Sequence, residues 1–118
     1  MLNKVCVLTI RVPNLEEAID FYSNVLRFKV SKYYGANIAS LQHGDIPIVL
    51  EKSEGVYQKP QQNVLLGVIS TDLDKDTVYF KEKGVTVLFN EARPCPPGRY
   101  NIIEDPAGNQ IEIVEFTN

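Results

Sequence analysis

Basic runs are missing from this sequence. Its 12 Lys and Arg are outnumbered by 15 Asp and Glu, for a formal net charge of −3. Lys4, Arg11, Arg27 and Lys29 are scattered along the chain rather than gathered. With no basic excess to neutralise phosphates, nucleic acid is not an expected partner. Also missing is any apolar stretch approaching the roughly 18 residues of a membrane span. The N-terminus leads straight into a strand-like run with no leader pattern, so the expected setting is cytoplasmic, without a membrane partner. Cysteine is scarce. Cys6 and Cys95 lie far apart and form no C-x-x-C pair, so neither a disulfide nor a thiol redox motif is expected. Cys6 sits among valines and leucines and is expected to be a buried small hydrophobe. The single histidine, His43, falls in the turn Gln42-His43-Gly44-Asp45.

What is present is repetition. The 118 residues are enough for one domain, expected here to span residues 1–118. Residues 4–12 alternate, with Cys6, Leu8, Ile10 and Val12 all apolar, which predicts a strand with one buried face. Asn14 is a candidate N-cap, with Glu16 and Glu17 in the first helical turn. Leu15, Ala18, Ile19, Tyr22, Val25 and Leu26 then form a stripe at helical spacing. Strands are expected around 28–34, 38–42 and 46–51, separated by Gly35-Ala36-Asn37 and the His43 turn.

The second half repeats this order. A strand is expected over 63–70, then a helix capped by Asp72 or Asp74, running through Phe80 and stopped by Gly84. Strands follow at 85–89, near 100–103 and at 110–116. Asn14-Leu15 matches Asp72-Leu73, and Phe21-Tyr22 matches Tyr79-Phe80, at one constant offset. The sequence thus predicts two βαβββ modules, about 4–54 and 63–117, joined by a polar linker at about 55–62. Neither module has enough surface to bury a core alone.

These features resemble the vicinal oxygen chelate superfamily, which includes glyoxalases, bleomycin-resistance proteins and extradiol dioxygenases. The resemblance rests on Leu-Thr-Ile-Arg-Val-Pro-Asn-Leu-Glu-Glu-Ala-Ile-Asp-Phe-Tyr (8–22), on Val25-Leu26 before Phe28, and on Glu104-Asp105-Pro106-Ala107-Gly108-Asn109-Gln110-Ile111-Glu112-Ile113. One departure is Arg27, at a position where relatives usually carry glycine. The resemblance implies an α+β fold of two modules whose curled mixed sheet surrounds a cavity, with the helices outside. Strand parity then puts Val5, Val7, Thr9 and Arg11 toward the cavity, together with Gln110, Glu112 and Val114.

Metal-dependent relatives draw their ligands from four equivalent strand positions. In this chain those positions fall on Val7, Val49, Leu65 and Glu112. A catalytic divalent ion needs about three protein ligands beside an open position, and valine and leucine offer no lone pairs. Glu51, at the same parity as Val49, would add a second carboxylate but not a third ligand. A partner chain in a dimer would bring only the same residues. No metal and no other cofactor is therefore expected.

Three readings follow. The first is a metal-free small-molecule binder of the bleomycin-resistance type, a homodimer holding an aromatic or cationic compound. Its expected ligand contacts are Val7, Glu51, Leu65, Arg99, Tyr100 and Glu112. The second is a glyoxalase-like lyase or isomerase with an altered or absent metal site, in which Glu112 is the general base. The third is a degenerate module that serves dimerisation or regulation. Glu112 is also open to a structural ion pair with Arg11 or Arg99. Cys95 lies between Arg93 and Arg99 in a proline-rich loop, where arginines can lower a thiol's pKa, but no histidine is near in sequence.

Overall fold

A computed structural model describes residues 2–59 and 61–117 of the chain. Its contacts divide it into two compact units, Met1–Gln58 and Lys59–Asn118. The boundary falls inside the polar segment expected to link the modules.

The first unit begins with strand β1, Leu8–Val12. Helix α1, Leu15–Asp20, follows after Asn14, whose Oδ1 accepts from the Glu17 amide at 3.0 Å. That bond satisfies one of the donors a helix start leaves open. The helix continues as a π-helical turn over Phe21–Val25, where the Leu26 amide reaches the Phe21 carbonyl. The wider turn advances the buried stripe: Phe21 and Tyr22 are buried, while Ile19 is only half-buried. Strands β2 (Val30–Tyr34), β3 (Ile38–Leu41) and β4 (Ile48–Lys52) complete a sheet in the order β1-β4-β3-β2. Val12, Ala39, Leu41, Ile48 and Leu50 are fully buried, with Leu15, Ala18, Phe21 and Tyr22 also in this core. Helix α1 packs on β3 and β4.

The second unit repeats this plan. Strand β5 is Leu66–Ile69 and helix α2 is Leu73–Glu82. Asp72 caps the helix, its Oδ1 accepting from the Lys75 amide at 3.1 Å. Gly84, at φ +76°, ends it, and the Val85 amide returns to the Phe80 carbonyl. Strands β6 (Arg93–Cys95), β7 (Gly98–Glu104) and β8 (Gln110–Phe116) give the order β5-β8-β7-β6, the same permutation as in the first unit. In each sheet one pair is parallel and the others antiparallel. The architecture is thus α+β, two mixed four-stranded sheets each carrying a helix, and neither sheet closes into a barrel.

Three sequence expectations need correction. Residues 85–89 form no strand; only an isolated bridge, Val87 to Ile103, remains of it. The second strand of this unit comes instead from the proline-rich segment, where Arg93–Cys95 pairs with β7. Cys6 is exposed, not buried, because the ladder with β4 begins at Leu8 and leaves Cys6 outside the sheet.

Candidate functional site

In each unit the sheet has one face under the helix and one face free of it. In the first unit the register aligns Thr9 with Val49 and Arg11 with Glu51, and Ser40 sits beside Val49. These residues alternate with the half-buried Ile10 and the buried Val12, Ile48 and Leu50, so they occupy the helix-free face. Arg11 Nε donates to Glu51 Oε2 at 3.1 Å. Val7, just before the strand, is 40% exposed. Tyr34 pairs with Ile38 and lies on this face, under the ammonium of Lys32 at 4.9 Å, whereas Tyr33 opposes Ala39 on the helix side.

In the second unit the loop Asp105-Pro106-Ala107-Gly108-Asn109 sets the register. Asp105 is buried, and its Oδ1 accepts from the amides of Ala107 (2.9 Å) and Asn109 (2.8 Å). Its Oδ2 accepts from Asn109 Nδ2 at 3.0 Å. Gly108 takes φ +87°, which a side chain would resist. The loop closes β7 on β8 so that Glu104 opposes Gln110, Ile102 opposes Glu112 and Tyr100 opposes Val114. The motif legible in the sequence is therefore a register device, and Glu112 is what it places.

Glu112 lies on the helix-free face, between the fully buried Ile111 and Ile113 that point under α2. It is half-buried, and among the described residues its side chain has no hydrogen bond or ion pair. Its β5 neighbour is Gly67, where an added Cβ would come within 3.2 Å of Glu112 Oε1. The absent side chain is what lets the carboxylate lie against β5. Leu65, 37% exposed, stands just before that strand.

The expected arginine contact is placed otherwise. Arg99 opposes Glu115, so it shares the parity of Ile111 and Ile113 and faces the helix. Its Nε donates to Glu115 Oε1 at 2.8 Å, and its Nη1 and Nη2 grip both oxygens of Asp74 at 3.1 Å. Glu115 Oε2 also accepts from the Leu73 amide at the start of α2. Those two carboxylates raise the Arg99 pKa above its already high ordinary value. Arg99 is thereby committed to the helix, on the face away from Tyr100 and Glu112. The alternative reading of Glu112 as a structural ion-pair partner loses both arginines, one held by Glu51 and the other by Asp74 and Glu115.

An arginine that the sequence reading passed over takes the place beside Tyr100. Arg93 is its direct cross-strand partner on β6, a relation invisible until Arg93–Cys95 is known to be a strand. The Arg93 guanidinium carbon lies 3.5 Å from the centroid of the Phe89 ring, and Phe89 meets Tyr100 edge to face at 5.8 Å.

The metal positions read from the sequence do not fit a metal. Val7, Val49 and Leu65 remain aliphatic, and among the described residues no three His, Cys, Asp or Glu side chains converge. His43 lies elsewhere in the first unit. It lines an open cleft of about 460 Å³ with Ser31, Leu41, Gln42, Gly44 and Pro47, its ring edge against Phe28 at 6.1 Å.

Comparison with known proteins agrees with this architecture. The sequence profile of the Glyoxalase/Bleomycin resistance protein/Dioxygenase superfamily matches residues 4–113. Among curated proteins no significant match is found. Among solved structures, TnmS3, an antibiotic binding protein from Streptomyces sp. CB03234, superposes with a TM-score of 0.75 at 24% identity, covering 98% of each chain. A glyoxalase family protein from Bacillus anthracis gives 0.78 at 18% identity, over 99% of this chain and 98% of its own. Lactoylglutathione lyase from Agrobacterium tumefaciens gives 0.71 at 17%, over 96% and 93%. At such identities the likeness is one of fold. The profile match over nearly the whole chain decides the family: the protein belongs to the glyoxalase/bleomycin resistance/dioxygenase superfamily.

Proposed function

We propose that the protein is a metal-free small-molecule binder that takes an aromatic or cationic compound on its helix-free faces. The observation that carries this reading is Glu112, half-buried and, among the described residues, without a side-chain partner, beside Gly67, Ile102 and Val114. A carboxylate in such a setting favours a ligand cation that replaces the water it has lost. Apolar neighbours with a few placed polar groups are the usual make-up of a small-molecule site. Leu65 and Tyr100, of the same unit as Glu112, are the further contacts proposed for that ligand, and Val7 and Glu51 are proposed as contacts on the first unit's own helix-free face. The fold is one that an antibiotic binding protein also uses, and the aliphatic side chains at the metal positions support a site that works without an ion. The chain is also proposed to act as a homodimer, since the edge strands β1, β2, β5 and β6 offer backbone to a symmetric partner. Light scattering that returned the mass of one chain would contradict the dimer.

The test uses para-guanidinobenzamide, a plain aromatic cation, titrated calorimetrically in chelator. Binding should persist with chelator and weaken about tenfold or more in Glu112→Gln, the range of a lost charge-assisted hydrogen bond. One tightly held ion per chain by plasma mass spectrometry, lost in Glu112→Gln, would instead favour a glyoxalase-like lyase or isomerase.

A further inference from the structure

The charged side chains on the helix-free face of the second unit are Glu104, Glu112 and Arg93, by the register of β5, β8, β7 and β6. Glu104 is neutralised by Lys59 at 3.0 Å. Among the described residues the other two have no ion-pair partner, and they are of opposite sign. Arg93 is also held in a defined pose. Its guanidinium carbon sits 3.5 Å from the Phe89 ring centroid, a cation–π contact that leaves its N–H groups, among the described residues, without an acceptor. A guanidinium so presented suits two parallel bonds to a carboxylate, phosphate or sulfonate.

The spacing of the two charges is fixed by the sheet. Arg93 is two strands from Glu112 and one same-face step along them, which puts their Cα atoms about 12 Å apart for ordinary strand geometry. The surface between them is Tyr100, Val114 and Ile102, aromatic and aliphatic. That gap admits one aromatic ring between the two charges.

We propose that Arg93 is an anion-recognition residue, and that the ligand is a zwitterion: an aromatic or alkyl core with a cation for Glu112 at one end and an anion for Arg93 at the other. The inference rests on the small-molecule reading above and narrows its ligand class. It also means that a purely cationic compound uses only part of the site.

The test compares para-guanidinobenzoate with para-guanidinobenzamide, which differ only in the anion, by titration followed through heteronuclear NMR. Wild type should bind the acid about tenfold tighter than the amide. Arg93→Met, which keeps the stem over Phe89 and removes the charge, should abolish that preference, so that acid and amide bind the variant equally. Arg93 is exposed, so this variant is expected to fold. Equal affinity for acid and amide in wild type, with both weakened by Glu112→Gln, would overturn the Arg93 assignment and leave the binder reading standing. A preference for the acid that survives in Arg93→Met would also overturn it. Absence of binding by either compound would overturn both readings.

Discussion

Arg27 holds a left-handed backbone, φ 71°, the sole non-glycine among the described residues to do so. It follows the π-helical turn and Leu26, where the chain reverses into β2 and the Phe28 amide returns to the Tyr22 carbonyl. A β-carbon costs about 1–2 kcal/mol in this conformation. Glycine would remove that strain but lose more chain entropy on folding, by about 0.5–1 kcal/mol. Arg27→Gly should therefore raise stability by about 0.5–1 kcal/mol, seen as a higher denaturation midpoint with an unchanged slope; a lower midpoint would show the arginine side chain to be stabilising. The departure from the family pattern was legible in the sequence, and its consequence is strain rather than a different turn. Other residue assignments were less legible. Glu112 was readable because parity and loop motif point the same way. Arg99 was misread because adjacency to Tyr100 in sequence puts two side chains on opposite faces of a strand. Arg93 is beside Tyr100 only through cross-strand pairing, which sequence alone does not reveal.

Among the elements, the β7–β8 hairpin is tied to α2 by a clasp of three charges. Arg99 bridges Asp74 of the helix and Glu115 of β8, and Glu115 adds a bond to the Leu73 amide. The hairpin's far end is close-packed: a β-carbon at Gly98 would come within 2.0 Å of the Glu115 carbonyl oxygen, so no other residue fits without moving β8. The hydrogen bond from Arg99, aided by that of the Leu73 amide, holds the Glu115 carboxyl below its ordinary value of 4.5. A carboxylate depressed on folding binds fewer protons than in the unfolded chain, so its stabilising contribution is whole above the ordinary value and fades as pH falls through it. Glu115→Gln should then be less stable than wild type at neutral pH, with the difference shrinking below about pH 4.3. Denaturation midpoints across that range would show it; a constant gap at every pH would mean that the clasp works through packing alone. The helices were well marked by their caps, Asn14 and Asp72, and by Gly84. Strand β6 was hidden because Arg93–Cys95 is interrupted by Pro94 and followed by Pro96-Pro97, a composition that reads as loop. Residues 85–89 carried the alternation of a strand yet pair at one bridge only.

Over the whole molecule, the repeated element order was the most legible feature. One offset in the sequence became one strand permutation used twice, β1-β4-β3-β2 and β5-β8-β7-β6, with equivalent caps at Asn14 and Asp72. The repeat is divergent in its chemistry. On its helix-free face the first unit pairs Arg11 with Glu51, whereas in the second, among the described residues, Glu112 and Arg93 have no ion-pair partner, which is why the proposed ligand is assigned to the second unit. Fold and family follow from the repeat and the profile match; the ligand does not, because the same scaffold supports several chemistries.

The most direct measurement is a residue-by-residue map of amide chemical shifts on adding para-guanidinobenzamide in chelator. The account predicts shifts centred on Gly67, Tyr100, Glu112 and Val114 in wild type, and their loss in Glu112→Gln. Shifts centred on the His43 cleft instead, or no shifts in chelator where they appear without it, would contradict it.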